Sequence, residues 1–227
     1  MPRFVVEFGN EGTSPAQDGR LDAPAFHRNH EPLWQAVAPR LAQASGALLE
    51  LGSGTGQHAA TFAARTPHLI WYPSDIYDSH LASIQAWRRQ SGLANLREPQ
   101  RIDLTDPAWN WTPGGALAAM LCVNVLHISP WAVSQNLIAG AGRLLAPGGY
   151  LFVYGPFMRD GAHTAASNAD FDASLRARNA AWGVRDIRDL AALAEESDLV
   201  LAEVAPMPAN NFVLAFARRT DRTATTN

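Results

Sequence analysis

Three glycines alternate with other residues directly after an apolar run. The stretch 47–58 reads ALLELGSGTGQH, and a helix-like run follows at 59–65. Glycine permits a sharp turn and a close approach of backbone to ligand, where a Cβ would collide. Strand, glycine turn and helix in this order are typical of the first unit of a doubly wound α/β sheet, and the helix start presents unpaired N–H groups. The sequence therefore predicts an α/β fold with a ligand site at this turn.

The glycine spacing distinguishes between classes of ligand. A dinucleotide fingerprint is G-x-G-x-x-G, with a pyrophosphate on the helix start. Here Gly52, Gly54 and Gly56 give G-x-G-x-G, preceded by Glu50. That pattern resembles the cofactor loop of class I S-adenosylmethionine (SAM) methyltransferases. The resemblance implies that this loop, including Ser53, binds SAM and that its acid reaches the methionine amino group, commonly through water. A glycine turn that binds nothing is the alternative.

Length and composition restrict the class of protein. With 227 residues, 47% of them hydrophobic, the chain can bury a sizeable core in one domain, placed at 26–219. We expect 1–25 to be a loosely ordered lead-in and 220–227 to be a frayed tail. A charged fraction of 17% and a net charge of −3 argue against a nucleic-acid or membrane partner.

The single cysteine, Cys122, excludes an internal disulfide and a cysteine-rich metal site. His27 and His30 form the only close histidine pair and have no supporting acid cluster, so no metal site is predicted. The sequence shows neither a secretory leader nor an apolar stretch long enough to span a bilayer, so a cytoplasmic enzyme is expected. A homodimer remains open.

Two acids follow predicted strands on the cofactor side. Asp75 ends a strand predicted at 68–75, about 20 residues past the glycines, where an acid meets ribose hydroxyls in such folds. Its alternative role is to cap the next helix. Asp103 lies at the exit of a third predicted strand, 100–105. In the class I fold this acid binds the adenine amino group and the next N–H, that of Leu104, meets a ring nitrogen; a simple turn is the alternative.

Polar residues also follow the central strands. The apolar run 116–123 predicts a strand buried on both faces, followed by Asn124 and His127, and Tyr154 ends a strand predicted at 150–154. Ligands in open α/β sheets bind beyond the carboxyl ends of the strands, so these side chains should line the crevice. His127 suits a general base near neutrality, or it orients a loop. Tyr154 contacts substrate, or packs its ring.

The polar stretch 158–183 is the least sheet-like part of the chain, with a helix predicted at 171–181. Inserts here often form the substrate lid of this fold. Its candidate substrate-binding residues are Asn168, Asp172, Arg176 and Arg178, and Asn211 in a later loop can reach the same pocket. The two arginines lie two residues apart and diverge by about 200° on a helix, so they cannot both face one anion. A solvated helix face is the alternative to an anionic or zwitterionic substrate.

The remaining segments complete the predicted fold. Helices are predicted at 131–145 and 184–196, and strands at 199–204 and 212–216, whose short connection requires antiparallel pairing. The prediction is an α/β, Rossmann-like class I methyltransferase fold. It has a seven-stranded, mostly parallel sheet, an antiparallel C-terminal hairpin and helices on both faces.

Longer strings strengthen the resemblance. They are R-N-x-E-P at 28–32, G-S-G-T-G-Q-H at 52–58, P-S-D at 73–75, N-x-x-H-I at 124–128, Y-G-P-F at 154–157, S-N-x-x-F-D-x-S-L-R-x-R at 167–178, W-G at 182–183 and M-P-A-N-N at 207–211. Together they resemble, over residues 24–217, a family of small SAM-dependent methyltransferase-like proteins long catalogued as a domain of unknown function. This family includes the eukaryotic methyltransferase-like protein 26. The resemblance implies SAM as cofactor but no particular substrate. Arg28 and Asn29 are expected to close over its methionine end.

The sequence thus predicts a SAM-dependent methyltransferase that acts on an N, O or S atom of a small molecule. A SAM-binding protein without turnover, serving as a regulatory or interaction subunit, is the alternative. A nicotinamide-dependent oxidoreductase is disfavoured by the glycine spacing.

Overall fold

The computed structural model describes residues 18–220. Its helices are α1 (Pro24–Leu41), α2 (Gln57–Arg65), α3 (Asp78–Ser91), α4 (Trp131–Leu144), α5 (Ala166–Arg178) and α6 (Ile187–Glu196). Its strands are β1 (Gly46–Leu51), β2 (Leu69–Asp75), β3 (Gln100–Arg101), β4 (Leu117–Val123), β5 (Leu145–Arg159), β6 (Ala162–His163), β7 (Arg185–Asp186), β8 (Leu199–Met207) and β9 (Asn211–Arg218). Short 3₁₀-helices lie at Leu126–Ile128 and Pro208–Asn210.

The main sheet contains seven strands in the order β3-β2-β1-β4-β5-β9-β8. Neighbours from β3 to β5 are parallel, whereas β9 pairs antiparallel with both β5 and β8. The short strands β6 and β7 pair with the far end of β5. This arrangement confirms the predicted α/β fold, with its mostly parallel sheet and antiparallel C-terminal strands.

The core lies on both faces of the sheet because alternate residues of a strand point to opposite sides. In β4, Met120 and Cys122 join the apolar cluster that includes α4 and α6. Ala119 and Leu121 join the cluster that includes α1 and α2. The strand is therefore apolar along its whole length, as the sequence predicts, and the Cys122 thiol is free and buried.

Two predicted helix boundaries, one in the insert and one directly after it, are wrong. The helix predicted at 171–181 spans Ala166–Arg178 and stops before Asn179, whose Oδ1 accepts the N–H of Ala181 at 2.9 Å. The helix predicted at 184–196 begins later, at Ile187. Asp186 caps it by accepting the N–H of Arg188 at 2.8 Å, and residues 185–186 pair with β5 instead.

Two strands also differ in length from their predictions. The strand predicted at 100–105 is reduced to Gln100–Arg101, because the chain turns at Asp103, which accepts the N–H of Thr105. The strand predicted at 150–154 extends over Leu145–Arg159. Its pairing with β4 jumps from Leu145 to Tyr150, and the residues between form an irregularity at the strand start.

The residues before α1 are packed against the domain. Leu21 is buried, and its N–H donates to Ser83 Oγ at 2.9 Å, while its carbonyl accepts from Trp87 Nε1 at 3.0 Å. The helix itself begins at Pro24, inside the predicted lead-in. The predicted lead-in is thus ordered from residue 18. Residues 1–17 and 221–227, which carry the rest of the predicted lead-in and most of the predicted tail, lie outside the described residues.

None of the helices within 18–220 combines the length and the apolar character needed to cross a membrane.

Candidate functional site

A cavity of about 890 Å³ opens at the carboxyl ends of the parallel strands, within the range of about 300–1,000 Å³ usual for small-molecule sites. Most of the predicted site residues line it: Arg28, Asn29, Glu50, Gly52, Ser53, Gly54, Asp75, Asp103, Leu104, Asn124, His127, Tyr154, Asn168, Arg178 and Asn211. Gly56, Asp172 and Arg176 do not.

The three glycines have different surroundings. All have positive φ, between +56° and +90°. A Cβ on Gly52 would lie 2.6 Å from Val125 Cγ2, and one on Gly56 would lie 2.8 Å from the Cα of Ile84. A Cβ on Gly54 would meet nothing within 4 Å. Gly52 and Gly56 thus allow close packing behind the turn, whereas Gly54 borders the open space of the cavity.

Glu50 places a buried carboxyl group in the cavity wall. The residue is 1% exposed, and its Oε2 has no hydrogen-bond partner among the described residues. Burial raises the pKa of Glu50 to about 8; a hydrogen bond from Ser53 lowers it, and the charge of Asp75 raises it further. Glu50 is therefore mostly protonated at neutral pH in the free protein, and a cation beside it would favour its ionised form.

Asp75 ties the glycine turn to the end of β2. Its Oδ2 accepts the N–H of Gly54 at 2.8 Å, and its Oδ1 accepts the N–H groups of Ile76 and Tyr77 at 2.8 and 3.1 Å. The N-cap residue of α3 is Tyr77, so the alternative prediction that Asp75 caps this helix is wrong. The ribose role predicted for Asp75 stays a prediction.

Asp103 and Leu104 form the wall beyond β3. Asp103 Oδ1 accepts from both the N–H and the hydroxyl of Thr105, at 2.8 and 2.7 Å, which is the turn that the sequence left as an alternative. Leu104 is buried, and its carbonyl accepts from Asn136 Nδ2 at 2.9 Å. These contacts leave Asp103 Oδ2 and the N–H of Leu104 as the groups that can meet a ligand edge.

Asn124 and His127 follow β4. Asn124 adopts a φ of +58°, in the left-handed region that non-glycine residues occupy rarely, and its N–H donates to the carbonyl of Tyr154 at 2.9 Å. His127 is buried, and burial lowers its pKa to about 4, aided by the charge of Arg185. Its ring contacts that of Phe171 with centroids 5.5 Å apart. The imidazole is therefore neutral at pH 7.

A polar cluster surrounds the hydroxyl of Tyr154, and we call it the Tyr154 corner. Its members are Arg28, Asn29, Tyr154 and Asn211. Burial raises the pKa of Tyr154, whereas the charge of Arg28 and hydrogen bonds from Asn211 and Asn29 lower it, and the net direction is upward. The tyrosine is therefore protonated at neutral pH. Asn29 is buried and also contacts His58, with its Oδ1 2.9 Å from Nε2 of the ring.

The insert contributes one wall through α5. Asn168 donates from Nδ2 to the carbonyl of Asn210 at 3.0 Å, which links α5 to the loop between β8 and β9. The exposed side chain of Arg178 lies on the same cavity wall.

Asp172 and Arg176 lie outside the cavity, contrary to the position expected of substrate ligands. Arg176 Nε donates to Asp172 Oδ2 at 2.9 Å, and the N–H of Val184 donates to Oδ1 at 2.6 Å. Burial raises the pKa of Asp172, but these hydrogen bonds outweigh it and hold the pKa below its usual value. The pair therefore holds the end of the insert, and the divergence of Arg176 from Arg178 agrees with helix geometry.

Residues 20–218 match one protein family, described as "Protein of unknown function (DUF938)". The chain belongs to this family. The match covers nearly all of the described domain of this DUF938 protein.

Three individual proteins with sequence or structural similarity are 12% to 28% identical to this chain. A tRNA (guanine-N(7)-)-methyltransferase of Treponema pallidum is 28% identical over 153 residues, covering 62% of this chain and 53% of the relative. The chain thus spans about half the length of the curated relative it matches. An O-methyltransferase family protein from Burkholderia thailandensis aligns with a TM-score of 0.69 at 20% identity, covering 86% of this chain and 57% of that one.

A third similar protein has been solved with a nucleoside bound. It is a geranyl diphosphate C-methyltransferase from Streptomyces coelicolor A3(2), in complex with Mg²⁺, geranyl diphosphate and S-adenosyl-L-homocysteine. It aligns with a TM-score of 0.66 at 12% identity, covering 86% of this DUF938 protein and 80% of that chain. Both structural similarities show a methyltransferase-type fold.

Sequence reasoning assigned no role to two side chains of the cavity wall. His58 contacts Asn29 and Phe171 contacts His127. In the sequence, His58 is marked only by its position at the end of the glycine string 52–58. Phe171 is marked only by its position in the polar helix predicted in the insert. Within residues 18–220, no three His, Cys, Asp or Glu side chains are grouped so that they could hold a metal ion.

Proposed function

We propose that this DUF938 protein is a SAM-dependent methyltransferase that acts on an N, O or S atom of a small molecule. The proposal rests on Glu50, which lies just before the glycine turn. Its carboxyl group is buried, and one of its oxygens has no hydrogen-bond partner among the described residues. Such a group is costly to leave without a partner. The methionine ammonium of SAM would supply the missing cation.

The other walls of the cavity support a nucleoside in the same place. Gly54 leaves open space where a sugar would approach the backbone, and Asp75 stands behind it. Asp103 Oδ2 and the N–H of Leu104, on neighbouring residues of the cavity wall, would supply the acceptor and the donor that an adenine edge requires. The S-adenosyl-L-homocysteine in the Streptomyces coelicolor enzyme agrees with this proposal.

When bound, SAM supplies a methyl group on a positively charged sulfur. The protein must hold the acceptor atom about 3 Å from that carbon and in line with the breaking bond. We assign this task to His127, which follows the central strand. As a neutral imidazole it can accept a proton from an acceptor that starts protonated. With a pKa near 4 it is a weak base, so orientation of the acceptor is its second role.

Several features favour a small acceptor. The cavity is lined partly by α5, and Asn168 and Arg178 face it from that helix. Together with the positive charge of Arg28, these residues favour an anionic or zwitterionic molecule. The net charge of −3 disfavours a nucleic acid. An RNA acceptor, as the Treponema pallidum relative's name indicates for that protein, is one outcome of the test below.

The first experiment is calorimetric titration with S-adenosylhomocysteine, with NADH as the control ligand. We expect binding of the first alone, with release of close to one proton at pH 6.5 as Glu50 ionises. Glu50→Gln should bind more weakly and release no proton. Binding of NADH, or equal behaviour of both proteins, would overturn the cofactor proposal.

The second experiment supplies methyl-labelled SAM with fractionated small metabolites or with tRNA. Label in a metabolite fraction supports the proposed acceptor class, and label in tRNA would replace it. SAM binding without transfer to any fraction would favour the non-catalytic alternative. We also propose that this protein is similar to the eukaryotic methyltransferase-like protein 26.

A further inference from the structure

His58 determines how the side-chain amide of Asn29 is oriented. The two groups meet at 2.9 Å between His58 Nε2 and Asn29 Oδ1. Burial lowers the pKa of His58 to about 3, with a smaller effect of His30, so the ring is neutral and carries one N–H. Because Oδ1 can only accept, that hydrogen lies on Nε2. The NH₂ group of Asn29 then points away from His58 and toward Tyr154.

Asn211 approaches the same hydroxyl from the opposite element. Its Nδ2 donates to the carbonyl of Pro208 at 3.1 Å, which fixes the amide in the loop before β9. Asn29 and Asn211 both lower the pKa of Tyr154 by hydrogen bonding, so both side-chain amides lie beside its hydroxyl group. The Tyr154 hydroxyl, which is protonated at neutral pH, therefore lies at the cavity wall with an amide beside it from each of two elements.

Arg28 places a positive charge beside this hydroxyl. It lines the cavity and lowers the pKa of Tyr154 through its charge, against the larger effect of burial. Among residues 18–220, no acidic side chain forms an ion pair with Arg28. The corner thus offers an O–H donor and a guanidinium to the cavity, without an ionised acceptor of its own. This is the complement of a carboxylate.

We propose that the Tyr154 corner binds a carboxylate and that His58 is the residue that positions it. This inference rests on the proposed function, since SAM itself carries a carboxylate next to its ammonium. Glu50 and Tyr154 project from the same face of the sheet, because β1 pairs Glu50 with Leu121 and β4 pairs Val123 with Tyr154. Both side chains therefore reach the cavity from one face of the sheet. A carboxylate of the acceptor molecule is the second source of the same chemistry.

The test compares S-adenosylhomocysteine with its decarboxylated analogue, S-adenosyl-3-thiopropylamine, by calorimetry. Tyr154→Phe removes the donor, His58→Leu removes the positioning contact, and His58→Gln restores an amide N–H near the place of Nε2. Tyr150→Phe on the same strand and His68→Leu, whose ring contacts a backbone carbonyl away from the cavity, are matched controls.

If the carboxylate is that of the cofactor, Tyr154→Phe and His58→Leu weaken the binding of S-adenosylhomocysteine about 10-fold to 100-fold. The same variants change the affinity of the decarboxylated analogue less than about twofold, and His58→Gln recovers most of the loss. Both controls bind like wild type. This result identifies the cofactor as the source.

If the carboxylate is that of the acceptor, the variants keep full affinity for S-adenosylhomocysteine. Acetate, sarcosine or benzoate then raises the melting temperature of the protein saturated with S-adenosylhomocysteine, and Tyr154→Phe abolishes this rise. If neither measurement changes in Tyr154→Phe and His58→Leu, the inference is wrong while the proposed function stands. If wild type binds no S-adenosylhomocysteine, both are overturned.

Discussion

The backbone N–H of Gly54 donates to Oδ2 of Asp75 at 2.8 Å, across 21 positions of sequence. The other oxygen of Asp75 accepts the N–H groups of Ile76 and Tyr77 and lies 3.0 Å from His80 Nδ1. One buried carboxylate therefore holds the glycine turn against the end of β2. The two segments that would meet the sugar of a nucleoside are fixed relative to each other before any ligand arrives.

Replacement of Asp75 by asparagine should disturb this link. An amide has one acceptor oxygen, so either Gly54 or the pair Ile76 and Tyr77 faces an NH₂ group instead. We expect a loss of about 1–3 kcal/mol in the free energy of unfolding and at least about tenfold weaker S-adenosylhomocysteine binding. Urea denaturation and calorimetry measure the two effects. Asp106→Asn, in an exposed turn where Asp106 Oδ1 accepts from Ala108, is the control. Unchanged affinity in Asp75→Asn would show that the link does not shape the site.

Gly54→Arg should abolish S-adenosylhomocysteine binding while the fold is retained. A Cβ at Gly54 meets no atom within 4 Å, and the longer side chain would fill the cavity. The φ of +56° makes the substitution cost roughly 1–2 kcal/mol. Gly92→Arg is a matched control, since Gly92 has a φ of +64° and equal space but lies at the end of α3, away from the cavity. Full binding by Gly54→Arg would contradict the placement of the ligand.

The raised pKa of Glu50 should make stability fall with pH. Its pKa is about 8 in the folded protein and 4.5 in the unfolded chain, so between these values the folded state holds the extra proton. His58 and His127, with folded pKa values near 3 and 4, contribute in the opposite direction below about pH 6.5. From pH 6.5 to 8 we expect Glu50 alone to lower the free energy of unfolding by roughly 1.5 kcal/mol.

Urea denaturation at pH 6.5, 7.2 and 8 measures this slope. Glu50→Gln carries a neutral group of the same shape and should show little slope in this window. Both proteins should be compared without ligand, because a bound ammonium would favour the ionised carboxylate and reverse the advantage of the neutral form. A wild-type slope equal to that of Glu50→Gln would mean that Glu50 is already ionised in the free protein.

Periodicity and glycine spacing predicted the sheet because they report on burial. The continuous apolar run of β4 requires cover on both faces, and the alternating glycines require a tight turn after β1. These constraints are local and predict individual strands and the tight turn, whereas the mostly parallel sheet was implied by the resemblance to the class I fold. The position of the cavity followed from the rule that ligands of open α/β sheets bind beyond the carboxyl ends of the strands. The short strand β3 was overestimated because Asp103 bonds to its own turn, a competition that side-chain chemistry decides and periodicity does not show.

The polar insert was predicted least well. The sequence predicted four substrate-binding residues here: Asn168, Asp172, Arg176 and Arg178. In the structure they lie at different positions around the axis of α5. Two line the cavity, while Asp172 is used by Val184 and Arg176. A helix with polar residues on every side gives no signal of which side faces a ligand. The contact of His58 with Asn29 also depends on the packing of α1 on α2, which sequence spacing does not reveal.

Asp172→Ala should therefore reduce stability rather than substrate binding. It leaves the N–H of Val184 without its acceptor and frees Arg176, which should cost about 1–3 kcal/mol in the free energy of unfolding. Arg178→Ala, at an exposed position on the cavity wall, should change stability by less than about 0.5 kcal/mol. Urea denaturation and S-adenosylhomocysteine titration of both variants separate the two roles. A stable Asp172→Ala protein would show that the insert is held by other contacts.

His127→Ala tests the chemistry beyond the cofactor. A general base contributes about 10²- to 10⁴-fold, so methyl transfer to the acceptor found by label screening should fall in that range if the imidazole takes a proton. Its low pKa means that wild-type activity should not lose this base until the pH approaches 4 to 5. S-adenosylhomocysteine affinity should stay within about twofold of wild type, because the proposed function assigns cofactor binding to Glu50 and the glycine turn. Single-turnover rates from pH 5 to 8, with His68→Ala as the control, provide the comparison. A His127→Ala protein with the wild-type rate would leave this histidine a packing partner of Phe171.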